Sequence, residues 1–206
     1  MEIIADILLT GDNSSSPLNI LEFGPTLSES RCNLAPIAFK QKHNYYCIDL
    51  INYDSKNTTV SETHNTEEYN YITKYNINCE LKSYTALFRN PTLFKEFKTL
   101  KPNFYDVIFT KYSISESMTF EGVMKVADIV GKKNCKIILI PWMNTKSKKE
   151  YEEIICNLNL PKGWSICHLD NTNFLKKLNK QSRVIKSGYK KTVAFTKNIS
   201  HDRFNI

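Results

Sequence analysis

The chain reads as an α/β sandwich with a largely parallel sheet, on three observations. Short apolar runs recur along its 206 residues, at 18–24, 45–49, 76–81, 104–110, 136–140 and 164–169. Segments with helical spacing of apolar residues lie between several of them, the order in which crossovers connect parallel strands. One run, Lys136-Ile137-Ile138-Leu139-Ile140, is too apolar for a half-exposed strand and belongs in the middle of a sheet. With 41% hydrophobic and 12% aromatic residues the chain can bury a core, which excludes wholesale disorder.

Residues 1–17 form an N-terminal appendage, a short amphipathic helix (Ile3, Ile4, Ile7, Leu8) and a turn from Gly11 to Pro17. Leu18 to Gly24 is a buried strand that ends at a glycine. A short helix follows a polar loop and starts near Pro36, because proline is tolerated best in a first helical turn. Tyr45 to Asp49 is the second strand and closes on an acid. Residues 53–73, rich in Asn, Thr and Glu, read as a polar surface insertion in an otherwise single domain, 1–206. Asn76 to Leu81 is a weaker third strand. Asn90 as cap and Pro91 at the first position open a helix carrying Leu93, Phe94, Phe97 and Leu100 on one face, with Pro102 beyond its end. Phe104 to Thr110 is a strong strand. Ser113 and Glu116 have the spacing of a capping box, and Phe120, Val123, Met124, Ala127 and Val130 form one helical stripe that stops at Gly131. Tyr151, Ile154, Ile155 and Leu158 mark a further helix. Trp164–Leu169 and Lys191–Thr196 read as late strands.

Composition narrows the function classes. No run of about 18 apolar residues spans a membrane, and the acidic start Met1-Glu2-Ile3-Ile4-Ala5-Asp6 is unlike a secretory signal. The six cysteines never form a C-x-x-C pair and sit mostly in apolar runs, which fits a reducing, intracellular and cytoplasmic setting better than a disulfide or zinc framework. The four histidines lack ligand spacing, so no metal is expected. Net charge is +7 but uneven: residues 1–130 hold 12 Lys/Arg and 16 Asp/Glu, and residues 131–206 hold 16 and 5, a balance of +11. A field of that sign over residues 131–206 suits a nucleic acid or an acidic protein partner; the competing reading is a coding bias toward Lys, Asn, Ile and Tyr.

In doubly wound sheets, ligands bind at the carboxyl ends of the strands where strand order reverses. Gly24, Asp49 and Glu80 gather at those ends. In this respect the chain resembles the class I, Rossmann-like S-adenosylmethionine-dependent methyltransferases, over roughly residues 18–197. Their first motif, acid-x-Gly-x-Gly-x-Gly, stands here as Glu22-Phe23-Gly24-Pro25-Thr26-Leu27-Ser28, with only the first glycine present. The resemblance implies S-adenosyl-L-methionine as cofactor. It implies Asp49 on the ribose with Leu50 beside the adenine, Glu80-Leu81 as the element after strand three, and Tyr105 to Tyr112, with Thr110, as the fourth motif. It assigns Glu22 to the loop and the methionine amino group, with Phe23 and Gly24 beside it. It also implies a closing antiparallel strand pair, which 164–169 and 191–196 would supply.

Each position has a plainer reading: Gly24 as an ordinary turn glycine, Asp49 as an acid that caps a turn, and Glu80 as a solvated carboxylate. Glu22 is more informative, because an acid inside an apolar strand must be hydrogen-bonded or near a charge. Lys111, Tyr112 and Trp142, after the fourth and fifth strands, are the candidates for handling an acceptor, as base or as walls for a ring; solvation and packing are their commoner roles. The sequence therefore leaves two functions open. One is a small methyltransferase whose acceptor stays open, an RNA-type or other anionic substrate being favoured slightly over a small neutral metabolite. The other is a catalytically silent methyltransferase-like domain that acts as a binding or scaffold subunit, with a partner subunit as its counterpart.

Overall fold

The computed structural model describes residues 16–25, 34–49, 70–111, 119–140, 153, 157, 159–167 and 193–197. Among the described residues, apolar alternation sets seven strands: β1 (Asn19–Phe23), β2 (Asn44–Asp49), β3 (Asn78–Leu81), β4 (Tyr105–Lys111), β5 (Gly131–Ile140), β6 (Trp164–Cys167) and β7 (Val193–Lys197). They form one sheet in the order β3-β2-β1-β4-β5-β7-β6. The first five strands are mutually parallel, and β7 runs antiparallel to both β5 and β6. The antiparallel closing pair is therefore present, and β5 lies in the sheet interior as its apolar run requires. Because β1 pairs with β2 on one side and β4 on the other, strand order reverses at its carboxyl end.

Register decides which residues share a face. Glu80, Ile48, Phe23 and Thr110 align across four strands, and so do Cys79, Cys47, Glu22 and Phe109 one residue earlier. Since side chains alternate along a strand, the two rows point to opposite faces. The first face carries Leu21, Phe23, Ile48, Ile108 and Ile137 into the core under helices α2 (Thr85–Arg89) and α3 (Phe120–Val130). Phe23 stands edge-on to Phe88 at 5.2 Å, and burying such a ring contributes about 1.5–3 kcal/mol. The second face is covered by helix α1 (Ala35–Lys40), which starts one residue before Pro36 and buries Ala35 and Ala38. Beside it lies a helical segment at 70–75, where Phe39 stacks on Tyr75 at 6.0 Å. The end of the expected polar insertion is thus helical, and its Tyr71 is buried.

Three local expectations change. The helix expected from Pro91 through Leu100 is a 3-10 turn that ends at Glu96, although Asn90 caps it as expected and accepts the Thr92 N–H at 3.3 Å. It stops because Thr99 is recruited elsewhere. Its N–H donates to the Glu80 carboxylate at 2.9 Å and so is lost to a helical ladder, and its carbonyl accepts the Tyr105 hydroxyl. Helix α3 keeps its apolar stripe, but its cap is Thr119, whose hydroxyl accepts the Gly122 N–H at 3.1 Å; Ser113 and Glu116 lie outside the described residues. Gly131 ends α3 in an extended conformation (φ −78°) and not a left-handed one, and β5 begins there, five residues earlier than expected. Glycine is required at this position for space, because a Cβ would stand 2.7 Å from the Ala127 carbonyl oxygen and 2.8 Å from the Cys135 sulfur. The segments 1–15 and most of 151–158 lie outside the described residues. Among the described residues, no helix is long and apolar enough to cross a membrane.

Candidate cofactor site

The site is built where β1, β2 and β3 end. Gly24 follows β1 with φ 62°, a left-handed conformation that costs an L side chain about 1–2 kcal/mol. Its N–H still donates to the Ile48 carbonyl at 2.9 Å, so the chain leaves the sheet directly after that bond. With no Cβ, the backbone at this turn stays open to close approach.

Glu22, two residues earlier, is 1% exposed. Its Oε2 accepts the Tyr45 hydroxyl at 2.7 Å and the Leu34 N–H at 3.0 Å. A buried carboxylate in an apolar strand is thus supplied with donors, as its position demands. The Leu34 bond ties the start of α1 back to β1. Burial first, and then the neighbouring Glu22 carboxylate, push the Tyr45 phenol well above its ordinary pKa, so it remains a donor at physiological pH.

Asp49 ends β2 at 5% exposure, on the same face as Glu22 and Cys47. Its carbonyl accepts the Lys82 N–H at 3.1 Å, which anchors the strand end to the chain leaving β3. Cys47 stands opposite Cys79 in register, and burial, followed by hydrogen bonding with Cys79, raises its thiol well above the usual range. It is a neutral packing group. Among the described residues, no three His, Cys, Asp or Glu side chains assemble as metal ligands.

Glu80 does not join this group. It is the penultimate residue of β3, on the opposite face from Asp49, and its Oε2 accepts the Thr99 N–H. Leu81 pairs in register with Asp49 at the strand end. Phe23 and Thr110 are both fully buried neighbours on β1 and β4. Lys111 ends β4 beside Ile140 in register, which puts its backbone at the ligand edge. Leu50, Tyr112 and Trp142 lie outside the described residues. The site thus unites Glu22, Gly24 and Asp49 and leaves Glu80 behind the sheet. Sequence reasoning missed Tyr45, the partner of Glu22. Its signal was its place in β2, but the two meet only once the register pairing Glu22 with Cys47 is known.

No family model matches the sequence, and no curated protein matches it either. Solved structures do. CurJ carbon methyltransferase is similar over 95% of this chain and 53% of its own, at 10% identity and a TM-score of 0.55. Phosphoethanolamine N-methyltransferase 2 of Haemonchus contortus, solved with S-adenosyl-L-methionine, aligns over 96% and 52%, at 11% identity and 0.48. The [4+2]-cyclase SpnF aligns over 95% and 80%, at 8% identity and 0.46. This chain therefore spans about half the length of the two methyltransferases. At these identities the likeness is one of fold.

Proposed function

We propose that this chain, whose fold is that of the class I, Rossmann-like S-adenosylmethionine-dependent methyltransferases, binds S-adenosyl-L-methionine at the carboxyl ends of β1 and β2 and transfers its methyl group to an anionic acceptor of RNA type. The observation that carries the reading is the placement of Gly24 and Asp49 at the adjacent ends of β1 and β2, where strand order reverses. A carboxylate held at a strand end accepts hydrogen bonds from a ribose diol, and the glycine beside it lets a ligand lie against backbone. Glu22, with Tyr45 and Leu34, ties the start of α1 to β1 and β2 beside this point. Glu80 acts through Thr99, as a positioning residue behind the sheet.

The cofactor supplies an electrophilic methyl group. The protein has to present the acceptor in line with it and, for a weak nucleophile, take a proton. Lys111 at the end of β4, with Tyr112 and Trp142 beyond the strand ends, are the groups proposed to meet the acceptor. An anionic acceptor is supported by the +11 balance of residues 131–206.

Calorimetric titration with S-adenosylmethionine and S-adenosylhomocysteine tests the reading. The expected result is micromolar binding that Asp49→Ala weakens about 5- to 150-fold, the equivalent of roughly 1–3 kcal/mol for a lost hydrogen bond at a charged group. Unchanged affinity in that variant refutes the site. No binding by a folded chain replaces the enzyme with a silent scaffold, or with a subunit that needs a partner.

A further inference from the structure

The sheet has a second edge rich in charged side chains, at the opposite end from Gly24 and Asp49. An open cavity of about 470 Å³ is lined there by Asn103, Lys132, Lys133 and Lys197. Asn103 precedes β4, and Lys132 and Lys133 lie at the start of β5. Lys197 ends β7, which runs antiparallel and so finishes where β5 begins. Lys101, just before β4, and Lys162, just before β6, are exposed at the same edge. β4, β5, β7 and β6 are neighbours in that order, so five lysines are spread over about 14 Å of edge, taking roughly 4.8 Å per strand.

Two carboxylates oppose them. Asp106 accepts Lys132 through both oxygens at 2.9 Å and also accepts the Asn19 N–H at 2.8 Å. Asp128 takes Lys197 at 3.2 Å and the Trp164 indole N–H at 2.9 Å. Lys197 also donates to the Asp128 carbonyl at 2.7 Å, so its donors are committed and it forms a wall. Lys132 retains one proton beyond its two bonds to Asp106. Lys133, Lys101 and Lys162 are exposed. Five ammonium groups against two carboxylates leave the edge at about +3, too little to hold one isolated phosphate tightly but suited to repeated phosphates. Among the described residues no aromatic ring lines the cavity. At the edge around it, Trp164 is buried with Lys197 5.7 Å from its ring centre, and the half-buried Phe104 ring is covered by Lys101 at 4.8 Å. With both rings taken by lysines, such an edge grips the backbone and does not read bases.

We propose that this edge binds the phosphodiester backbone of single-stranded nucleic acid, independent of sequence, as a docking strip separate from the cofactor site. The seven residues of β4 set the two edges about 23 Å apart, so a strand docked here reaches the other edge only as a polymer. The proposal rests on charge placement and not on the cofactor reading.

The test is fluorescence anisotropy of the full chain with a labelled 20-nucleotide single-stranded RNA, in 50–300 mM NaCl. Binding should weaken linearly in log–log form with salt and be the same for a scrambled sequence. Reversing two exposed charges, Lys133→Glu with Lys162→Glu, should cost at least tenfold in affinity at 100 mM salt. It should also reduce the salt slope by about 1.4, at roughly 0.7 per single-strand phosphate contact. Both lysines are exposed, so the variant should keep its thermal midpoint. Absence of RNA binding by the parent overturns the proposal. So does an unchanged slope in the double variant, which would place the contacts elsewhere on the chain. Binding of a mononucleotide as tight as that of the RNA also overturns it, because the edge would then serve a free phosphate ligand. S-adenosylmethionine titration of the same samples reads the other edge separately.

Discussion

Replacing Tyr45 by Phe removes one oxygen and nothing else from the loop anchor. The phenol is fully enclosed and donates at 2.7 Å to a carboxylate that is 1% exposed, so no solvent stands ready to take its place. Of the two described donors on Glu22 Oε2, the Leu34 N–H at 3.0 Å remains. The ring still fills its space, which excludes a cavity contribution. A hydrogen bond to a charged group is worth about 1.5–3 kcal/mol, and burial argues for the middle of that range, about 2 kcal/mol. For a chain of this size each kcal/mol moves the midpoint by about 2–4 °C, giving an expected fall of about 4–8 °C. Thermal unfolding followed by circular dichroism, with urea denaturation for the free energy, checks it. If the cofactor reading holds, affinity for S-adenosylmethionine should fall as well, because Glu22 ties the start of α1 to β1 beside Gly24. A midpoint within about 1 °C of the parent would refute the reasoning, since the buried carboxylate would then be satisfied without the phenol.

Two further outcomes follow from packing and protonation. Gly122→Ala would place a Cβ 2.4 Å from the Phe88 carbonyl oxygen and 2.8 Å from the Phe88 Cβ, so α2 and α3 must separate; a loss of about 2–3 kcal/mol is expected in urea denaturation, despite the better helix propensity of Ala. His43 accepts the Leu18 N–H through Nδ1 at 3.1 Å and can do so only when neutral. Burial lowers its pKa below 6.5, while Asp106 pulls the other way. Because the unfolded chain then binds the proton more readily, His43 lowers stability as pH falls below about 6.5 and on through the folded pKa. His43→Asn, which keeps an acceptor near the Nδ1 position, should flatten the decline of the thermal midpoint between pH 6.5 and 5; an unchanged pH profile would exclude His43 as its source.

The alternation of apolar runs and helical stripes was legible in the amino-acid order because both are local periodicities. A strand must place every second residue against a core, and α3 must place every third or fourth. The same locality made Gly24, Asp49 and the need for partners at Glu22 readable, since a strand-end glycine and a buried acid each declare a constraint at their own position. Strand neighbours and register are not local. Only the assembled sheet brings Tyr45 and the Leu34 N–H to Glu22, 23 and 12 residues away in the chain. Only the pleat puts Glu80 on the face away from Asp49, where it takes the Thr99 N–H and ends the helix that Asn90 and Pro91 had begun. Gly131 reads as a stop signal in the sequence, whereas in the fold it is a gap left for Ala127 and Cys135. The lysines before β4 and β6 and at the start of β5 are scattered in the chain and collected on one edge by the parallel start of those strands, with β7 running the other way to deliver Lys197. Short-range periodicity writes the elements, and contacts between residues far apart in the chain decide which of their side chains meet.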